Sequence, residues 1–201
     1  MIDARLLEWQ GRLMGPPAQG LVRLGVRADH ISIAGFVLGA LTVPALAFDA
    51  RGLALCLLAL NRLADGLDGE VARRTGPTDR GAFLDIALDF MFYALFPLGF
   101  ALLDPTANAL SAAVLIASFV GTGSSFLAFA TIAAKRGLRA ADYPTKGIHY
   151  LGGLTEGFET ITIFVLMALF PVIFPFLAYL FALACLITTI LRWHQGWTDF
   201  A

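Results

Sequence analysis

Apolar residues run through this chain in long uninterrupted stretches, without the strict alternation of a half-buried strand. A helix needs roughly 20 mainly apolar residues to cross a bilayer. Six stretches qualify: about 30–48, 52–72, 82–103, 109–134, 154–171 and 175–191. Their limits coincide with breakers: Asp49-Ala50-Arg51, Gly76-Pro77, Asp104-Pro105, and Pro171 with Pro175. One long polar connection, from about Lys135 to Tyr150, separates the fourth from the fifth. Ahead of the first, Ile2, Leu6, Trp9 and Leu13 recur at helical spacing, with Asp3, Arg5, Glu8 and Arg12 on the other side. This predicts an interfacial amphipathic helix lying along the headgroups. The pattern as a whole predicts an all-α integral membrane protein of one domain, 1–201: an interfacial N-terminal segment, 1–28, and a bundle of six transmembrane helices, 29–193.

Composition agrees with that pattern. Hydrophobic residues make up 58% of the chain and charged ones 14%, with a mean hydropathy of +0.77, which is no soluble surface. A formal net charge of −1 leaves no basic excess for a nucleic-acid backbone, so nucleic acid is not an expected partner. Cys56 and Cys185 each sit in an apolar run and are expected to behave as small apolar residues, outside any disulfide framework or thiolate metal site. No apolar core of signal-peptide type follows a basic start, so no cleaved signal is expected.

Lys and Arg set the orientation. Arg5, Arg12, Arg23, Arg27, Arg73, Arg74, Arg80, Lys135, Arg136, Arg139, Lys146 and Arg192 fall on the side of the N-terminus, and only Arg51 falls on the other. Both termini, and the basic loops, are therefore expected in the cytoplasm, with the protein in the cell (plasma or inner) membrane.

Asp65, Asp68, Glu70, Asp85 and Asp89 stand where a span should carry no charge. Four Asp left bare in lipid would cost on the order of 10 kcal/mol, so something must compensate them. Asp65 and Asp68 are i,i+3 and Asp85 and Asp89 are i,i+4, so each pair projects from one helix face. A short connection makes the second and third spans antiparallel neighbours, and the two faces then form one four-carboxylate cluster near the cytoplasmic end. The bases in reach, Arg62, Arg73 and Arg74, are too few and too scattered to neutralise it. Two divalent cations would balance the charge. An all-carboxylate site suits hard ions such as Mg²⁺, Mn²⁺ or Ca²⁺, and paired ions of this kind clamp the attacking and leaving oxygens of a phosphoryl displacement. Gly66, Gly69, Ala72 and Gly81 nearby leave room for a bulky ligand to approach the backbone.

The run Asp65-Gly-Leu-Asp68-Gly69-Glu-Val-Ala72-Arg73, followed by Gly81-Ala-Phe-Leu-Asp85-Ile-Ala-Leu-Asp89, resembles the signature DxxDGxxAR…GxxxDxxxD of the CDP-alcohol phosphotransferases, at every specified position. Six spans after an amphipathic helix are also similar to that family, so the resemblance extends along the chain. The stretch between Arg73 and Gly81 is one residue shorter than is usual there, a change in the loop that leaves both carboxylate pairs in register. The resemblance implies transfer of a substituted phosphate from a CDP-alcohol, typically CDP-diacylglycerol, to an acceptor alcohol, with release of CMP, in phospholipid biosynthesis. It implies that Asp65, Asp68, Asp85 and Asp89 bind two divalent cations, Mg²⁺ or Mn²⁺, that Asp89 is also the general base, and that Gly69, Ala72, Arg73 and Gly81 line the CDP pocket. It further implies a homodimer in membrane lipid.

Other polar positions carry weaker expectations. Glu156 and Glu159, at the start of the fifth span, are possible acceptor contacts or part of a polar wall. Lys135, Arg136, Arg139 and Lys146 are expected to face headgroups, with a grip on a phosphorylated acceptor as the alternative. His30 reads as part of a helix start, and His149 and Tyr150 as an interface belt. Gly35 and Gly39 form a GxxxG that fits either a dimer contact or close packing inside the bundle. Trp193 and Trp197 read as interfacial anchors. No His-x-Lys pair supports a phospholipase-D-like route. The rival function is a small cation- or proton-coupled transporter using the same carboxylates, but spans four to six hold no echo of the quartet, as an inverted repeat would require. An intramembrane prenyltransferase would carry more spans and a second, distant Asp motif.

Overall fold

A computed structural model describes residues 2–137 and 154–201, with side chains from residue 13 onward. Arg139, Lys146, His149 and Tyr150 lie outside the described residues, as do, apart from the exposed Leu13, the side chains that define the expected amphipathic face of the N-terminal segment. Among the described residues there are helices and no strands: α1 (Ile2–Arg23), α2 (Ala28–Ala40), α3 (Thr42–Ala47), α4 (Arg51–Thr75), α5 (Asp79–Leu103), α6 (Pro105–Lys135), α7 (Gly157–Leu169), a 3₁₀ turn (Pro171–Ile173) and α8 (Phe174–Asp199). The chain divides into two compact units, Met1–Pro105 and Thr106–Ala201.

Punctuation read from the sequence sets most helix ends. Thr78 caps α5 by accepting from Gly81 N at 3.0 Å, and Asp79 follows in the first turn, where the helix dipole favours negative charge. Gly76, at φ 97°, ends α4 in a conformation open to glycine. Pro105 opens α6, where its missing N–H costs no intrahelical bond.

The expected first span is broken. Pro44 cannot donate to the carbonyl four residues earlier, and its ring crowds that carbonyl, so the helix ends at Ala40 and resumes as α3. Thr42 Oγ1 donates to Gly39 O at 2.6 Å and satisfies one carbonyl at the break. Among the described residues, four helical stretches are long and apolar enough to cross a membrane: Ala28–Ala47, Asp79–Leu103, Pro105–Lys135 and Pro171–Asp199. Two of the six predicted spans differ. α4 has 25 residues, length enough, but its charged residues take it out of the apolar class. α7 has 13 residues, a rise of about 20 Å against a hydrocarbon core of about 30 Å. With large apolar side chains such as Phe48, Phe83, Val172 and Leu183 turned outward, the protein is an integral membrane protein.

In the first unit, α2 lies against α4 and α5, α3 against α5 and α4, and α1 against α4. Ala18, Ile31, Ala64 and Val71 form the seam of α1, α2 and α4. Further along α5, Phe92, Phe96 and Phe100 are fully buried, with successive rings edge to face at 6.2 and 5.8 Å. Gly35 and Gly39 face this interior. A Cβ on Gly35 would sit 2.7 Å from Ala64 Cβ, and one on Gly39 would sit 2.7 Å from Phe92 Cδ2 and 2.9 Å from Asn61 Nδ2. The GxxxG is therefore a packing stripe inside the unit. In the second unit Phe119 of α6 packs edge to face with Phe164 of α7 and Phe181 of α8, each at 6.1 Å.

Gly35→Ala should lower stability by about 1–3 kcal/mol, the usual range for overpacking, while Gly52→Ala, whose Cβ meets nothing within 4 Å, should be near neutral. Thermal unfolding in detergent separates the two. Equal stabilities would mean that α2 and α4 are not so closely apposed.

Candidate active site

The helices are continuous through all four aspartates, so the predicted spacing becomes geometry. Asp65 and Asp68 project from α4, Asp85 and Asp89 from α5, and all four line one small cavity with Ser32, Asn61 and Arg62. The connection between the helices is only Gly76, Pro77 and Thr78, which keeps them antiparallel neighbours. Asp68 is buried, and its Oδ2 accepts from Ser32 Oγ at 2.6 Å. Asp89 Oδ1 accepts from Arg62 Nη2 at 2.9 Å, and Asp65 Oδ2 lies 3.6 Å from Arg62 Nη1. Glu70, the fifth acid of the region, faces elsewhere: Arg73 holds it at 2.8 Å and Arg74 at 2.9 Å.

A second and larger cavity, about 470 Å³, adjoins the first, and Asp68, Asp85 and Ser32 line both. Gly69, Ala72 and Gly81 line the larger one, as the family resemblance implies for a nucleotide pocket. Arg73 departs from that expectation: it turns to Glu70, with its guanidinium beside Gly69, where a Cβ would meet Nη1 at 3.4 Å. Two basic residues whose place in the sequence speaks only to orientation, Arg27 and Arg80, also line this cavity, and Arg80 is ion-paired with Asp29. Asp29 and Ser32 were missed as site residues. A signal for them was present: Asp29, Ser32, Gly35 and Gly39 follow i, i+3, i+6 and i+10, a single small and polar stripe on α2.

The donor set fits hard divalent cations in kind. It offers only carboxylate oxygen among charged donors, and one arginine against four aspartates leaves the cavity strongly negative. In separation it is not drawn up: among the described residues no three of His, Cys, Asp and Glu surround one point closely enough to hold an ion. Arg62 stands at the Asp65–Asp89 edge instead.

Glu156 and Glu159 belong to the second unit and form a capping box at the start of α7. The Glu156 side chain accepts from the Glu159 backbone N–H, and Glu159 Oε2 accepts from Glu156 N at 3.0 Å. That unit has its own cavity of about 460 Å³, lined by Ser124, Ser125, Arg192 and Trp193 among others. There Arg192 Nη1 donates to Thr122 O at 3.0 Å, with its guanidinium 5.6 Å from the centre of the Phe126 ring.

Residues 26–194 match the family described as CDP-alcohol phosphatidyltransferase. Inner membrane protein YnjF of Escherichia coli (strain K12) is 50% identical over 197 residues, 98% of this chain and 96% of that protein. The fold resembles crystal structures of Mycobacterium tuberculosis phosphatidylinositol phosphate synthase. The form with CDP-DAG bound has a TM-score of 0.68 at 25% identity, covering 93% of this chain and 94% of that one. The form in complex with manganese and citrate has a TM-score of 0.72 at 23% identity, covering 92% and 89%.

The capping box generates its own test. Glu159→Ala should cost about 1 kcal/mol, the worth of a good cap, while Glu159→Gln, which still reaches the Glu156 N–H, should lose much less. Both are read by thermal unfolding. An equal loss in the two variants would assign the side chain's role to its charge.

Proposed function

The chain belongs to the CDP-alcohol phosphatidyltransferase family, and on that premise we propose that it transfers a substituted phosphate from a CDP-alcohol, CDP-diacylglycerol first among candidates, to an acceptor alcohol with release of CMP. The observation that carries the proposal is the junction of the two cavities, where Asp68 and Asp85 line both the carboxylate cluster and the larger space walled by Gly69, Ala72 and Gly81. A pyrophosphate lying there would meet the carboxylate cluster on one side, and the Cβ-less positions give the rest of the donor room.

In this reading 1–201 is one catalytic membrane domain, α4 crosses the bilayer with the four apolar stretches, α7 crosses it with the non-helical lead-in from Leu154 and the 3₁₀ turn making up its length, and α1 lies at the interface. The site and both termini are cytoplasmic, a reading supported by the Lys and Arg distribution. The inner membrane is the expected location, in keeping with the name of the 50%-identical relative. A homodimer remains the expected assembly.

Asp65, Asp68, Asp85 and Asp89 would hold two divalent cations, Mg²⁺ or Mn²⁺. Bound there, the ions supply charge neutralisation at the phosphate oxygens. The chain's own residues do the rest. Ser32 fixes Asp68, and Arg62 fixes Asp89 through one oxygen. Asp89 takes the proton of the acceptor hydroxyl, whose oxygen attacks the β-phosphorus while the bond to the oxygen bridging to CMP breaks. Positioning and electrostatics supply most of the rate. Arg73 exchanges Glu70 for a donor phosphate, an oxygen pair its planar fork suits equally well. Acceptor contact by Glu156 and Glu159 is proposed from their place in the sequence, where a capping box engages both side chains.

Purified protein given CDP-diacylglycerol, Mn²⁺ or Mg²⁺ and a panel of acceptor alcohols should release CMP with one of them, and a chelator should stop it. CDP-choline with diacylglycerol belongs on the same panel. Asp89→Asn should lower turnover by at least about 100-fold, the usual worth of a general base, without loss of folded protein. Retained turnover would refute the base assignment, and cation flux without CMP release would favour a transporter.

A further inference from the structure

Arg62 is held from several directions at once. Its Nε donates to Asn61 Oδ1 at 2.8 Å, and Asn61 in turn donates from Nδ2 to Gly35 O at 2.9 Å, so the anchor reaches the α2 backbone. The guanidinium lies over the rings of Phe92 and Tyr93, 5.1 and 5.9 Å from their centres. Its two amino groups reach Asp89 at 2.9 Å and Asp65 at 3.6 Å. A planar fork that stacks on aromatic rings and pairs with two carboxylates together is an arginine property that lysine lacks.

This arrangement divides the quartet. Asp68 and Asp85 face the larger cavity, with Asp68 tied to Ser32. Asp65 and Asp89 line the small cavity and not the larger one, and they share the guanidinium. A fixed positive charge at one edge of a carboxylate cluster acts in two opposed ways. It offsets repulsion between Asp65 and Asp89, and so keeps the cluster assembled without other cations. It also repels any divalent ion approaching the same oxygens, and in a half-buried site the repulsion is weakly screened.

We propose that Arg62 is a positioning residue that serves as a built-in counter-cation of the quartet: it holds Asp65 and Asp89 in place and lowers the cluster's affinity for divalent cations by competing for that edge. The inference rests on the metal-binding role proposed above for the quartet. Its consequence is that ion binding and the Arg62–Asp89 contact are coupled, so the base is engaged by the guanidinium or shared with an ion.

The test is Mn²⁺ binding to the purified full chain in detergent, followed by the loss of the free-Mn²⁺ electron paramagnetic resonance signal, with thermal unfolding measured on the same samples. Arg62→Met and Arg62→Gln should bind Mn²⁺ at least tenfold more tightly than the unsubstituted protein while unfolding at lower temperature without it. Mn²⁺ should therefore raise their unfolding temperature by more. Arg62→Lys, which keeps the charge, should stay within about threefold of the unsubstituted affinity. A merely structural arginine predicts lower stability with unchanged or weaker Mn²⁺ binding, and that result in whichever of Met and Gln folds overturns the proposal. Absence of Mn²⁺ binding in the unsubstituted protein overturns the metal-binding role of the quartet as well.

Discussion

Mutual repulsion among four carboxylates at the junction of α4 and α5 is the constraint on which the rest of the first unit depends. At membrane depth such a cluster persists only where positive charge and hydrogen bonds oppose the repulsion. The chain meets that demand from three helices: Ser32 on α2 holds Asp68, Arg62 on α4 holds Asp65 and Asp89, and α5 supplies the second acid pair in register with the first. The close approach that brings Ser32 there is built by Gly35 and Gly39, whose missing Cβ atoms let α2 lie against α4 and the Phe92 ring. Packing and chemistry are thus one design: the glycine stripe places the serine, the serine fixes an aspartate, and the buried phenylalanines of α5 anchor the helix that carries the other pair.

How legible this was in the sequence follows from the range of the forces involved. Periodicity and breakers act locally, so α5 and α6 appeared where expected and the two acid pairs fell on facing helix surfaces. The family signature placed Gly69, Ala72 and Gly81 on one cavity. Pro44 broke the first span, a local signal outweighed in the sequence by the apolar run around it. The fifth span was overestimated because the apolar run from Leu154 includes residues that fold as the lead-in to a capping box, and α7 starts only at Gly157.

Residues whose partners lie far along the chain were the least legible. Arg62 pairs with Asp89 across 27 positions and Ser32 with Asp68 across 36. Their own neighbourhoods hold only partial signals, Asp65 three residues after Arg62 and the small and polar stripe around Ser32, and neither names the distant partner. Arg80 looked like one more cytoplasmic charge until its pairing with Asp29 put it on the wall of the larger cavity. Arg73 is the reverse case. Its place in the signature is plain, yet Glu70, only three residues away, competes for it, and an i,i+3 acid on a helix is a partner that composition alone does not weigh.

Anomalous scattering at the manganese absorption edge, from crystals of the chain grown with Mn²⁺, locates any ion that the quartet holds. Two peaks are expected within about 4 Å of one another, each ligated by carboxylates drawn from Asp65, Asp68, Asp85 and Asp89. Peaks elsewhere on the molecule, or the four side chains still diverging in the presence of the ion, would contradict that arrangement.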